Sequence, residues 1–145
     1  MNQEQARSIL LTHSKSERNG VFPAVVSFSS KITNPICGDH VELQIQTEGE
    51  RIIELGFKAR ACAICSASSS LLSEKAKGLK ISELLELSHH FETILLASLE
   101  TPWPATLQNF SCFEHLRVNP ARKACALLPW VAFRSALKSQ PTSQQ

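Results

Sequence analysis

Two runs of alternating apolar and polar residues, set on either side of one glycine turn, constrain this chain more than any other feature. Val41, Leu43 and Ile45 alternate with Glu42, Gln44 and Gln46. After Glu48-Gly49-Glu50, Ile53, Leu55 and Phe57 alternate with Glu54, Gly56 and Lys58. Successive side chains of a strand point to opposite faces, so each run gathers its apolar residues on one side. Joined through a short turn, the runs form an antiparallel hairpin between about His40 and Ala61. A lone hairpin is marginally stable in water. Its apolar face needs a cover from elsewhere in the chain.

Helical spacing supplies that cover. Ala6, Ile9, Leu10 and His13 predict a short amphipathic helix from Asn2 to about Ser14. A second helix begins near Cys62, carries Leu71, Leu72 and Ala76, and stops at Gly78. Ile81–Leu99 has helical period again, with Ser82 placed as a cap and Glu86 behind it. A last helix starts near Pro120, a favourable first-turn residue, and runs to about Lys138. Ser14 to Pro35 reads mostly as loop, with a short edge strand at Val25, Val26 and Phe28. TPWPATLQNF reads as loop because Pro102 and Pro104 stand close together. The expected fold is α+β: a small antiparallel sheet of about three strands with helices on one face. At 145 residues without an internal repeat, the expectation is a single domain over 1–145. It includes an N-terminal helix and loop over about 1–31 and a flexible tail over about 139–145.

Fifteen basic and thirteen acidic side chains leave a net charge of +2. That balance lacks the basic footprint of a nucleic-acid binder. No apolar run approaches the roughly 20 residues of a transmembrane helix, so no membrane span is expected. MNQEQARSILLTHSKSERNG has no basic stretch followed by an apolar one and does not read as a secretory signal. The five cysteines are therefore expected in the reducing cytoplasm, where metal binding or catalysis is a commoner use than a disulfide framework.

Three cysteines fall where chemistry is plausible. Cys37 lies in NPICGD, just before the first hairpin strand, where Gly38 lets the backbone approach an ion. Asp39 stands two residues on, so both side chains can converge from one loop. Cys62 follows the second strand and opens a helix, and Cys125 lies in the first turns of the last helix. Helix amino termini carry unpaired N–H groups and positive partial charge, which favour thiolate. Three thiolates and one carboxylate meet the four-ligand demand of zinc. They would suit an iron–sulfur cluster equally well. Spacing alone also admits three small apolar cysteines buried in a core.

Other residues carry weaker signals. Cys62 and Cys65 form a solitary C-x-x-C, in which Cys65 either packs, touches the ion or relays sulfur. Cys112, between Phe110 and Phe113, reads as core. Arg122, one turn before Cys125, reads as a surface cation, with tuning of Cys125 or contact with a partner carboxylate as the alternatives. His89, His90 and His115 read as surface or core histidines rather than substitute ligands. Ser66, Ser68, Ser69 and Ser70 read as a small-residue helix face for close packing. Trp103 and Trp130 read as core or partner-contact residues.

Taken together, NPICGD at 34–39, ACAICSASSSLLSE at 61–74 and LRVNPARKACALLPW at 116–130 resemble the IscU/SufU/NifU amino-terminal family of iron–sulfur assembly proteins. The resemblance covers about Ile32 to Leu137. About sixty residues between Cys62 and Cys125, with extra length around His89 to Phe110, and the P-A-R-x-x-C-A-L-L-x-W ending resemble the SufU type. The L-P-P-V-K motif and the His before the third cysteine, both marks of IscU, are absent, Ala124 standing at the latter position. The chain also departs from the family pattern at Ala61, usually Gly, and at Cys65, commonly Ser.

The resemblance implies that Cys37, Asp39, Cys62 and Cys125 are the metal ligands. It implies a tightly bound zinc and a sulfurtransferase role, or alternatively iron or a transient [2Fe–2S] cluster on a scaffold, or a purely structural zinc site. The implied partners are a cysteine desulfurase of SufS/IscS type, which makes the persulfide, and downstream iron–sulfur assembly proteins. Ligand exchange on zinc would free one thiolate to take the sulfur. Cys37 is favoured by the SufU pattern and Cys125 by the IscU pattern.

Overall fold

The computed structural model describes residues 1–34, 38–97 and 101–139. Its sheet grows from the hairpin. Strand β2 (Asp39–Glu48) pairs antiparallel with β3 (Arg51–Arg60), placing Leu43 opposite Phe57 and Ile45 opposite Leu55. Gly49 closes the turn at φ +62°, a left-handed conformation that glycine takes without a Cβ penalty. Val41, Leu43, Ile45, Leu55 and Phe57 are fully buried on the inner face.

Near the turn the expected alternation breaks. Ile52 is buried, and Ile53, expected inside, is 37% exposed. Gln46 pairs with Glu54 and Thr47 with Ile52, so Ile53 is the extra residue of a β-bulge. An unpaired residue reverses the parity of everything beyond it.

The sheet order is β1-β2-β3, with β1 (Phe28–Asn34) antiparallel to β2. This corrects the loop reading over residues 28–34. The edge strand begins at Phe28, where the sequence reading ended it, and Val25 lies outside it and exposed. Pairing with β2, rather than any apolar pattern in FSSKITN, makes the strand. Ser30 fixes it from the inner side by donating its Oγ–H to the Ala132 carbonyl at 2.6 Å.

The free edge of β3 is closed by the segment before β1. Gly20 donates its N–H to the Phe57 carbonyl at 2.7 Å. The Asn19 side-chain amide donates to the Ala59 carbonyl at 3.1 Å and accepts from the Ala59 N–H at 2.9 Å. Blocking an edge this way removes a template for unwanted strand pairing. The chain then crosses Gly56, where a Cβ would lie 2.5 Å from the Val21 oxygen and 2.9 Å from Phe22 Cα. Gly56→Ala is therefore expected to lower stability by about 1–3 kcal/mol, the usual range for an overpacked site. Thermal unfolding measures this, and an unchanged Tm would contradict the close crossing.

Among the described residues four α-helices lie on the inner side of the sheet. They are α1 (Gln3–Ser14), α2 (Ala63–Ala76), α3 (Ile81–Leu96) and α4 (Pro120–Lys138), with α2 and α4 directly against the sheet. Asn2 caps α1 reciprocally with Gln5, through bonds of 2.8 and 2.9 Å. Gly78, at φ +86°, follows α2 as expected. The start of α3 differs from the expectation. The Lys80 N–H donates to Glu83 Oε1 at 2.8 Å, making Lys80 the cap and placing Ser82 inside the helix. The expected end at Leu99 falls on residues 98–100, outside the described ones. Helix α4 packs on β1 and β2, α2 on β3 and α4, and α1 on α2.

Most of the TPWPATLQNF loop reading is also corrected. From Ala105 to Val118 the chain forms 3₁₀ turns with one irregularity at Leu107. Arg117 anchors them, its side chain only 1% exposed. Its Nε meets Glu114 Oε2 at 2.9 Å, its Nη2 donates to the Thr101 carbonyl at 2.9 Å, and the guanidinium stacks 5.0 Å over Trp103. Trp103 donates its indole N–H to the other Glu114 oxygen at 3.0 Å. One buried charge is thus held by a carboxylate, a carbonyl and an aromatic face. Beneath it Phe91, Phe110, Phe113 and Trp130 form an aromatic cluster. Among the described residues no helix is long and apolar enough to cross a membrane.

Candidate metal centre

Three of the four expected ligands come from three different elements. Asp39 opens β2, opposite Asn34 at the end of β1. The Gly38 N–H donates to the Asn34 carbonyl at 2.8 Å, with Gly38 at φ +72°, which draws the strand ends together. Cys62 is the N-cap of α2, its backbone at φ −63°, ψ 166°. Cys125 sits in the second turn of α4, in the run that Pro120 begins.

These elements converge. One carboxylate oxygen of Asp39 and the Sγ atoms of Cys62 and Cys125 all lie within 4.8 Å of one another. Asp39 and Cys125 are each 3% exposed, and Cys62 is partly exposed. The site is therefore open on the Cys62 side and closed behind. Cys37 lies outside the described residues.

Local hydrogen bonds orient the donors. The Cys62 N–H donates to Asp39 Oδ1 at 3.0 Å and the thiol to Asp39 Oδ2 at 3.6 Å. Cys62 Sγ accepts the Cys65 N–H at 3.5 Å, the N-cap bond that a serine or aspartate makes elsewhere. Ser68 donates to the Ala126 carbonyl at 2.6 Å, docking α2 on α4 beside Cys125. Ser69 donates to the Cys65 carbonyl and Ser73 to the Leu55 carbonyl. The run of serines is a buried, hydrogen-bonded packing face, as its composition suggested. Pro129 lies inside α4, one turn after Cys125, and the helix continues through it to Lys138.

The donor set fits a cation. A buried carboxylate is costly without a charge partner, and none of the ion pairs among the described residues includes Asp39. Two sulfurs and one carboxylate oxygen suit zinc or an iron–sulfur centre and suit magnesium or calcium poorly.

Other sequence candidates fall away from this site. His89, His90 and His115 are exposed and outside the cluster. Arg122 is exposed on the first turn of α4. Cys65 is fully buried in the first turn of α2. Cys112 is 1% exposed, and burial pushes its thiol from the ordinary 9.0 up to about 12, so it is a core residue that stays protonated. Trp130 is fully buried core, and Trp103 belongs to the Arg117 anchor.

Comparison with known proteins places this geometry among relatives. Residues 6–145 match the family model described as the NifU-like N-terminal domain. The zinc-dependent sulfurtransferase SufU of Bacillus subtilis is 27% identical over 135 residues, covering 92% of this chain and 90% of its own length. The iron–sulfur cluster assembly scaffold protein IscU of Streptococcus pyogenes is 26% identical, covering 89% of this chain and 90% of its own length. Among solved structures, an iron–sulfur cluster assembly scaffold protein for the SUF system from Fervidobacterium islandicum superposes with a TM-score of 0.80 at 27% identity, covering 90% of this chain and 94% of that one. The N-terminal NifU-like protein of Brucella abortus, 21% identical, shares the fold with a TM-score of 0.79 over 94% of this chain and 96% of its own.

Proposed function

The chain belongs to the family of the NifU-like N-terminal domain, and from that premise we propose that it is a zinc-binding sulfur acceptor for iron–sulfur cluster assembly. In this reading a cysteine desulfurase delivers persulfide sulfur to it, and it passes the sulfur to downstream iron–sulfur assembly proteins in the cytoplasm. The observation that carries the proposal is the convergence of Asp39, Cys62 and Cys125 within 4.8 Å on an open-sided site. The zinc-dependent sulfurtransferase among the relatives supports it.

Cys37, Asp39, Cys62 and Cys125 would hold the ion. When bound, zinc would keep the thiols that hold it deprotonated at neutral pH. Asp39, held by the Cys62 N–H, is the hard donor in a soft set and the ligand most readily given up. The acceptor is Cys37 or Cys125. Its thiolate attacks the terminal sulfur of the desulfurase persulfide, one S–S bond forms as another breaks, and the desulfurase thiolate leaves with the electron pair. Cys62 is partly exposed, and on this reading a partner's persulfide would approach from that side.

A second reading, a scaffold for a transient [2Fe–2S] cluster, draws on the IscU relative. The two separate in one assay. With a SufS-type desulfurase and free cysteine, the sulfur-acceptor reading expects this chain to raise alanine formation at least about tenfold and to gain one sulfur by mass. Unchanged desulfurase turnover, with a visible chromophore on adding ferrous iron and sulfide, would put the scaffold reading first.

A further inference from the structure

Cys65 is unused by the site as described, yet it stands three residues beyond a ligand, on the same first helical turn. Cys62 is the N-cap of α2 and Cys65 its third residue. The Cys65 backbone already meets Cys62, its N–H donating to Cys62 Sγ at 3.5 Å. Residues three apart on a helix have neighbouring Cβ atoms, and a disulfide needs Cα atoms only about 4.4–6.8 Å apart. A C-x-x-C whose first cysteine begins a helix is the arrangement of dithiol oxidoreductases. Cys65 differs from the other neighbours of Cys62 in one respect. Cys125 and Asp39 belong to the donor set, whereas Cys65 is a thiol outside it. Its complete burial shuts out external reagents and leaves Cys62 as an intramolecular target.

We propose that Cys65 is the resolving thiol of this site, which reduces persulfide sulfur to sulfide by closing a Cys62–Cys65 disulfide. The proposal rests on the sulfur-acceptor reading for its substrate. Sulfur accepted on Cys125 passes to Cys62, whose Sγ is within 4.8 Å, when the Cys62 thiolate attacks the terminal sulfur and the Cys125 thiolate leaves. Cys65, giving up its proton, then attacks the inner sulfur of the Cys62 persulfide. The Cys62–Cys65 bond forms, the bond to the terminal sulfur breaks, and that sulfur leaves with the electron pair as hydrosulfide. Cys65 is oxidised, the terminal sulfur is reduced, and the persulfide itself is the oxidant. An external dithiol reductant opens the disulfide before a second turnover.

The test uses the full chain as purified, treated with glutathione persulfide as the probe and no other reductant. The wild-type protein is expected to release about one sulfide per chain and become lighter by two hydrogens, with Cys62 and Cys65 linked in the peptide map. Cys65→Ser is expected to keep the wild-type metal content, hold the added sulfur as a stable adduct and release sulfide at least about tenfold more slowly. Sulfide release from Cys65→Ser at the wild-type rate would overturn the proposal. So would a wild-type linkage joining Cys62 to Cys125, a result that needs no variant. A parallel arm replaces the probe with desulfurase and cysteine. The Cys62–Cys65 linkage with the probe alone supports the resolving role while failing the desulfurase reading.

Discussion

Trp130→Ala is expected to lower the unfolding free energy by about 3–5 kcal/mol, the range for removing a large aromatic from a core. Trp130 is fully buried on the inner side of α4, stacked on Phe91 at 5.0 Å and edge-on to Phe110 at 5.3 Å. Its loss opens a cavity where α3, α4 and the 3₁₀ segment meet, and those elements cannot collapse independently into it. The indole N–H, however, has no acceptor among the described residues. An unsatisfied buried donor costs about 1–3 kcal/mol. Trp130→Phe removes that donor with most of the ring retained, so its net cost should stay below about 1.5 kcal/mol. Chemical denaturation of the two variants checks the pair. Equal losses would mean that a phenyl ring recovers nothing over alanine at this position, and would contradict the packing account.

Cys125→Ser is expected to weaken metal binding by more than the roughly 10–100-fold lost when a residue that only hydrogen-bonds a ligand is removed. The effect reaches stability because the donors join the start of β2, the start of α2 and the second turn of α4. A ligand that binds only the folded state adds about 2.7 kcal/mol at a hundred times its Kd. In a chain of 145 residues that is worth about 10 °C in Tm. The wild-type protein is expected to lose this increment on treatment with a chelator, while the variant, lacking it already, shows no chelator response. Differential scanning fluorimetry with and without chelator measures both. An equal chelator response in the variant would remove Cys125 from the site.

Much of this was legible because the local and the global signals agree. The hairpin, the stop of α2 at Gly78 and the start of α4 at Pro120 each follow from period or from a terminator residue, and each stands where the sequence placed it. What was hidden depends on partners distant in sequence. β1 is a strand because β2 offers it an edge, and FSSKITN carries too few apolar residues to announce that. The bulge at Ile53 is set by the register of the opposite strand, so the alternation within β3 alone misassigns Ile52 and Ile53. The 3₁₀ segment coils around a buried Arg117 whose partners lie up to sixteen residues away, and an arginine in a sequence gives no sign of burial. At the site, Asp39, Cys62 and Cys125 were readable from strand and helix ends, and the motifs narrowed what spacing left open. The hydrogen bond from Ser68 to Ala126, which docks α2 on α4, was visible only as a run of small residues.

Elemental analysis of the protein purified without added metal tests the shared site most directly, with Cys37→Ser, Cys62→Ser and Cys125→Ser measured beside the wild type. The expected result is about one zinc per chain in the wild type, as a single four-donor site requires, and close to none in each variant. Iron with labile sulfide in place of zinc would favour the scaffold reading at the same residues. A metal-free wild type, or zinc retained in all three variants, would contradict the site.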